Sequence, residues 1–153
     1  MDSGQKIVDL GADFRLVDAG AWDRFYTGLH AGSWTYGLPE VGDQRRRISQ
    51  STTVANPGCY ATAISLACAP AVAHQIMGQS TINVVAASGT SGAGRVPSQA
   101  LMASEVMGSI SAYKIGGVHQ HTPEIEQTLN SLRPEVSSRI SFTPLLAPMP
   151  RGI

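Results

Sequence analysis

The chain has 153 residues, of which 42% are hydrophobic and only 14% charged, with 11 basic side chains balanced by 11 acidic ones. That length supports at least one ordinary domain with its own core, and zero net charge argues against a nucleic-acid partner, whose binding proteins carry a clustered basic excess. The N-terminus lacks the apolar run of a secretory signal. The longest apolar stretch, Ala61 to Ala73, carries Ser65 and Pro70 and falls short of the roughly 20 residues a bilayer demands, so a soluble, cytoplasmic protein without a membrane partner is expected.

In chain order, Ile7 to Leu10 reads as a short buried strand broken by Gly11. Asp18 or its neighbours could cap a helix running through Trp22 and Tyr26. From His30 to Ser51 the residues are rich in Gly, Pro, Trp, Tyr and Arg without a clean period, which predicts surface loop with at most a short strand, and Arg45-Arg46-Arg47 within it reads as a solvated face. Val54-Ala55 ends a strand, and Asn56-Pro57-Gly58 forms a turn that delivers Cys59 to a helix spanning Ala61 to Gln75. Ser80 to Ala87 is an apolar strand running into the glycine-rich loop Ser88 to Arg95. Thr122 and Pro123 suit the N-cap and first turn of a helix through Leu132, and Ile140 to Leu146 alternates as a strand. Strand, helix, strand and glycine loop in succession is an α/β pattern. No closing signal precedes Ile153, so the chain is expected to be cut.

Cys59 follows a Pro-Gly turn and precedes a helix, where unpaired amides and the macrodipole favour a thiolate. Cys68, among Leu66, Ala67 and Ala69, reads as a small buried hydrophobe. On one helix the two sulfurs are nine steps of about 1.5 Å apart, beyond a disulfide's reach of about 7 Å, so both are expected to be free thiols. A thiol enzyme also needs a proton donor and acceptor, which His119 or His121 can supply. At spacing i, i+2 on an extended segment the two rings point to opposite faces, so only one should meet Cys59 and no joint metal site is expected. The loop from Gly89 to Gly94 could cradle an anion on its amides. It departs from the specific fingerprints, because Arg95-Val96 follows where a P-loop has Lys and then Ser or Thr, and the order is G-x-x-G-x-G instead of G-x-G-x-x-G.

The stretch Val54-Ala55-Asn56-Pro57-Gly58-Cys59-Tyr60-Ala61-Thr62-Ala63, with Pro70 downstream, resembles the active-site signature of the N-acetyl-gamma-glutamyl-phosphate reductase family, within the aspartate-semialdehyde dehydrogenase-like superfamily. Asp9 to Arg15, Tyr36 to Glu40, Ser88 to Arg95 and His119 to Ile125 match that family in order. The resemblance implies reduction of an acyl phosphate to a semialdehyde in arginine biosynthesis: a thiolate displaces phosphate, and NADPH delivers hydride to the resulting thioester. By position it makes Cys59 the nucleophile and His119 the acid/base. It places Ser88, Gly89 and Gly92 near the nicotinamide of NADP, and Tyr113 and Glu124 lining or bracing the substrate site. Arg15 and Arg95 are the arginines to examine for the phosphate or substrate carboxylate, because guanidinium forks suit both anions.

Three departures stand out. Gln120 occupies a position that is usually basic in the family, Cys68 replaces an aliphatic residue, and no G-x-x-G-x-x-G segment precedes Ile7. The implied fold is α/β: the latter part of a Rossmann-type nucleotide-binding domain over 1–57, followed by part of an α+β substrate and dimerisation domain over 58–153, truncated at both ends. A small-molecule acyl phosphate and a homo-oligomeric full-length form are the expected partners, and the fragment alone is expected to show little reductase activity. Three alternatives remain open: a thiol acyl-hydrolase using the Cys/His pair, a non-catalytic remnant or split subunit, and the sister aspartate-semialdehyde dehydrogenase activity.

Overall fold

The structure, a computed structural model, describes residues 4–77, 81–94, 96–135 and 137–153. Two small sheets carry it. In the first, β1 (Ile7–Asp9), β3 (Thr53–Ala55) and β2 (Thr35–Tyr36) lie side by side in the order β1-β3-β2, all parallel, with Val8 opposite Val54 and Tyr36 opposite Ala55. In the second, β4 (Thr81–Ser88) and β6 (Arg139–Leu146) run parallel from Thr81↔Arg139 to Ser88↔Leu146. The two-residue strand β5 (Ser111–Ala112) closes the other edge of β6 antiparallel.

The main core lies where α3 (Cys59–Ala73) and α5 (His121–Leu132) pack beside the second sheet. On α3, Tyr60, Ile64, Cys68 and Val72 recur every four residues and form one buried stripe. They meet Ile125 and Leu129 of α5 and Ile140 and Phe142 of β6. The expected alternation of β6 holds, with Ile140, Phe142 and Pro144 turned inward. Pro70 is tolerated inside α3 because it sits on the solvent side, where Leu66, whose carbonyl it leaves without an amide donor, is also exposed.

Helix α1 (Ala19–Phe25) begins where expected, with the Asp18 carboxylate accepting from the Gly20 amide at 2.9 Å. The loop expected from His30 to Ser51 instead contains a further helix, α2 (Gln44–Gln50). It buries no residue, so it has no apolar stripe to reveal it; Gln and Arg are good helix formers, and Arg46 pairs with Asp43 one turn back at 2.7 Å. The solvated reading of Arg45, Arg46 and Arg47 holds, since all three are exposed. Strand β1 forms but is not buried: Ile7, Val8 and Leu10 are all exposed, because β1 is a sheet edge that no described helix covers. Helix α3 starts at Cys59, ahead of the expected Ala61, and ends at Ala73. The Ser80 end of the expected fourth strand lies outside the described residues. Helix α5 starts at His121, so Thr122 is not its cap, and among the described residues the buried Thr122 hydroxyl has no hydrogen-bond partner.

Candidate active site

Strand β3 hands the chain to Asn56-Pro57-Gly58, anchored where the Asn56 amide donates to the Asp9 carbonyl at 2.8 Å. Gly58 is extended at φ −67° and ψ 153° and Cys59 is the first residue of α3. The Gly58 carbonyl accepts from the Thr62 amide at 2.8 Å and the Thr62 hydroxyl at 3.0 Å, and its amide donates to Glu124 Oε1 at 2.9 Å. A side chain at Gly58 is excluded by packing, because a Cβ there would be driven into the His121 imidazole. Cys59 is exposed and opens into a cleft of about 750 Å³, whereas Cys68 is buried, its thiol pKa raised by that burial; both are free thiols, as expected.

Both histidines line this cleft, with ring centroids 4.9 Å apart. The expected opposite facing does not occur, because Gln120 is helical at φ −59° and ψ −23° and folds the segment into a turn. His119 Nδ1 accepts from the His121 amide at 3.1 Å, so the neutral ring carries its hydrogen on Nε2. Burial, followed by the nearby Lys114 ammonium, lowers its pKa to about 4. His121 is likewise lowered to about 4, by burial first and then by His119, Arg15 and Lys114. Both rings are therefore neutral at pH 7. Among the described residues no three His, Cys, Asp or Glu side chains gather at one point.

Tyr113 also lines the cleft, beside His119, with ring centroids 5.8 Å apart. Burial first, then its hydrogen bond with Tyr60, raises its pKa, so its phenol stays protonated near neutrality. Tyr60 itself donates to the Ala86 and Leu145 carbonyls, each at 3.2 Å. Beneath the cleft Glu124 is 1% exposed. Its Oε1 accepts from the Tyr36 hydroxyl at 2.8 Å as well as from Gly58, and its Oε2 lies 3.7 Å from Arg15 Nη1. Burial outweighs these contacts and raises its pKa.

A family model described as "Semialdehyde dehydrogenase, dimerisation domain" matches residues 59–153. The chain belongs to the semialdehyde dehydrogenase dimerisation-domain family. It is 59% identical over 147 residues to a protein of Acidothermus cellulolyticus named N-acetyl-gamma-glutamyl-phosphate reductase, covering 96% of this chain and 43% of that protein. Proteins of the same name from Thermobifida fusca, 53% identical over 100% of this chain and 44% of that protein, and from Streptomyces coelicolor, 54% over 96% and 42%, are similar. The chain thus spans less than half the length of these curated relatives.

Within this dimerisation-domain chain, the cleft gathers Cys59, His119, Ser88, Gly92, Tyr113 and Arg15 from the sequence-derived candidates. Two others lie elsewhere. Glu124 is buried and is not among the residues that line the cleft; its carboxylate braces the Cys59 turn through the Gly58 amide. The Gly89 amide donates to the Gly152 carbonyl at 2.9 Å, and a Cβ there would lie 2.6 Å from the Arg151 backbone. The amides of Thr90 and Ser91 are likewise taken by the Met149 and Pro150 carbonyls, so this loop does not offer those amides to an anion. Arg95 lies outside the described residues. Sequence reasoning missed Lys114, which lines the cleft; the Gly116-Gly117 pair just beyond it was the signal that this segment turns back on itself.

Proposed function

We propose that this chain is the catalytic and dimerisation part of an N-acetyl-gamma-glutamyl-phosphate reductase of arginine biosynthesis, which forms N-acetylglutamate semialdehyde and phosphate through a thioester on Cys59. One observation carries the reading: an exposed cysteine at the first residue of a helix opens into the cleft walled by His119 and His121. The relatives' names supply the substrate. Cys59 loses its thiol proton to solvent, its Sγ attacks the acyl carbon as the thiolate, the carbon–oxygen bond to phosphate breaks, phosphate leaves and the acyl group stays on sulfur. His119, neutral with its hydrogen on Nε2, donates a hydrogen bond to the oxyanion of each tetrahedral intermediate and keeps its proton; collapse of the second breaks the carbon–sulfur bond and gives the aldehyde and the Cys59 thiolate. Tyr113, with its proton retained, is a second donor beside His119.

The residues lining the cleft fit the reacting end of NADP. Gly92 and Ser88 both line the cleft, and among the described residues a Cβ at Gly92 would meet Ser88 Oγ at 3.6 Å, so these two would border the nicotinamide end. When bound, NADPH supplies the hydride that reduces the thioester. The all-parallel β1-β3-β2 sheet supports residues 1–57 as the latter part of a Rossmann-type domain, and the match from residue 59 supports 58–153 as the catalytic and dimerisation part of a homo-oligomer. By itself the chain should show little or no reductase turnover, because hydride transfer needs a held and oriented cofactor.

The test is single-turnover acylation without nicotinamide. N-acetylglutamyl phosphate should release one phosphate per chain and leave an N-acetylglutamyl adduct on Cys59 by peptide mass spectrometry. The release should disappear in Cys59→Ser and slow about a hundredfold in His119→Ala. An adduct on Cys68 instead, or no adduct at all, would sink the reading.

A further inference from the structure

We propose that Lys114 is the anchor for a phosphoryl oxyanion in this cleft, holding the leaving group of the acyl phosphate while Cys59 attacks. The proposal rests on the function argued above for the same cleft and adds a residue to it.

Among the described residues that line the cleft, the cations are Arg15 and Lys114. Arg15 is already committed: its side chain is 9% exposed, Nη1 lies 3.7 Å from the buried Glu124 carboxylate and Nη2 donates to the Leu10 carbonyl at 3.2 Å. Lys114 is exposed, and among the described residues no carboxylate lies within ion-pair distance of it. Its ammonium donates to the neutral amide oxygen of Gln120, a bond that orients the charge without cancelling it and leaves two N–H donors for a ligand. The backbone at Lys114 is left-handed at φ +44°, an uncommon state for a side-chain-bearing residue. Gly116 and Gly117 follow at φ +77° and +81°, and together they fold the segment so that Lys114 and His119 line one cleft. The lowered pKa of His119 has the Lys114 charge as its second cause, so the ammonium is within electrostatic reach of the reacting groups. A lysine binds phosphate as a compact point charge with rotatable donors, which suits a group that moves away as its bond to carbon breaks.

Inorganic phosphate is the probe, read as protection of Cys59 from iodoacetamide in the wild-type chain, Lys114→Met and Lys114→Arg. N-acetylglutamate at matched ionic strength is the carboxylate control. Phosphate should slow wild-type alkylation several-fold and saturably, lose that effect in Lys114→Met, and keep part of it in Lys114→Arg, while N-acetylglutamate protects no variant in a Lys114-dependent way. The His119 ring should titrate at higher pH in Lys114→Met with the circular dichroism unchanged, which shows that the site survives the substitution. Three results overturn the proposal: no protection of the wild type by phosphate, equal protection in Lys114→Met, or Lys114-dependent protection by the carboxylate alone. Lys114-dependent phosphate protection without acylation of Cys59 would remove the reductase reading and leave the anion site standing; acylation with unaltered protection in Lys114→Met would do the reverse.

Discussion

The Gly58 amide and the Glu124 carboxylate, 66 residues apart in sequence, meet at 2.9 Å and fix the turn that presents Cys59. The same oxygen accepts from Tyr36 on β2, and the other faces Arg15, so one buried carboxylate ties the first sheet, the Cys59 turn and α5 together. Removing it strands several partners at once. Glu124→Ala should cost about 3–5 kcal/mol in urea unfolding, because it leaves Arg15 buried without its counter-charge and the Gly58 amide without an acceptor. Glu124→Gln keeps an oxygen for Gly58 and Tyr36 and should cost less. Equal costs for the two would mean that the Arg15 ion pair, and not the bond to Gly58, dominates.

Gly58 is required for space, not for backbone freedom, since its φ of −67° suits any residue. Gly58→Ala should therefore destabilise by about 1–3 kcal/mol through overpacking against His121. In a His121→Ala background the same substitution should cost far less, a coupling that a double-mutant cycle reads directly. An undiminished cost in that background would locate the constraint in the backbone instead.

The parts of the fold that were legible from sequence rest on local pattern: the four-residue recurrence from Tyr60 to Val72, the alternation of β6, and the Asp18 cap. Cys59 at a helix start was legible for the same reason, since Pro-Gly followed by an alanine-rich run has few other readings. What was hidden depends on contacts between distant residues. Helix α2 has no apolar stripe because it buries nothing. The glycine loop had the composition of an anion cradle, but three of its amides are claimed by carbonyls of residues 149–152, a pairing that no local rule anticipates. The two histidines were expected on opposite faces because the segment was taken as extended; a single helical residue, Gln120, brings them together.

That closeness sets a pH dependence. His119 and His121 have pKa values near 4 in the folded chain against about 6.5 when unfolded, so between those values the unfolded chain binds more protons and stability falls as pH falls. The loss across pH 6.5 to 4 should be on the order of 2–4 kcal/mol for the coupled pair. Glu124 acts in the opposite sense, because its raised pKa lets the folded state take up a proton first as the pH falls toward 4.5. The imidazole part is isolated by comparing urea unfolding of the wild type with His119→Asn/His121→Asn across this range. Ring-proton titration of both histidines near pH 6.5 would contradict it.

The two thiols should separate cleanly by reactivity. Cys59 is exposed at the mouth of the cleft, whereas Cys68 is buried among Ile64, Val72 and Leu129, and its burial disfavours the thiolate that alkylation requires. Iodoacetamide at pH 8 should therefore modify Cys59 at least about tenfold faster than Cys68, since both access and ionisation favour it. Cys59→Ser should abolish the fast phase, and Cys68→Ala should leave it unchanged. In urea above the unfolding midpoint the two rates should converge, because burial is then gone for both. Convergence under native conditions would mean that α3 opens on the timescale of labelling, and the stripe from Tyr60 to Val72 would then hold the helix less firmly than its burial implies.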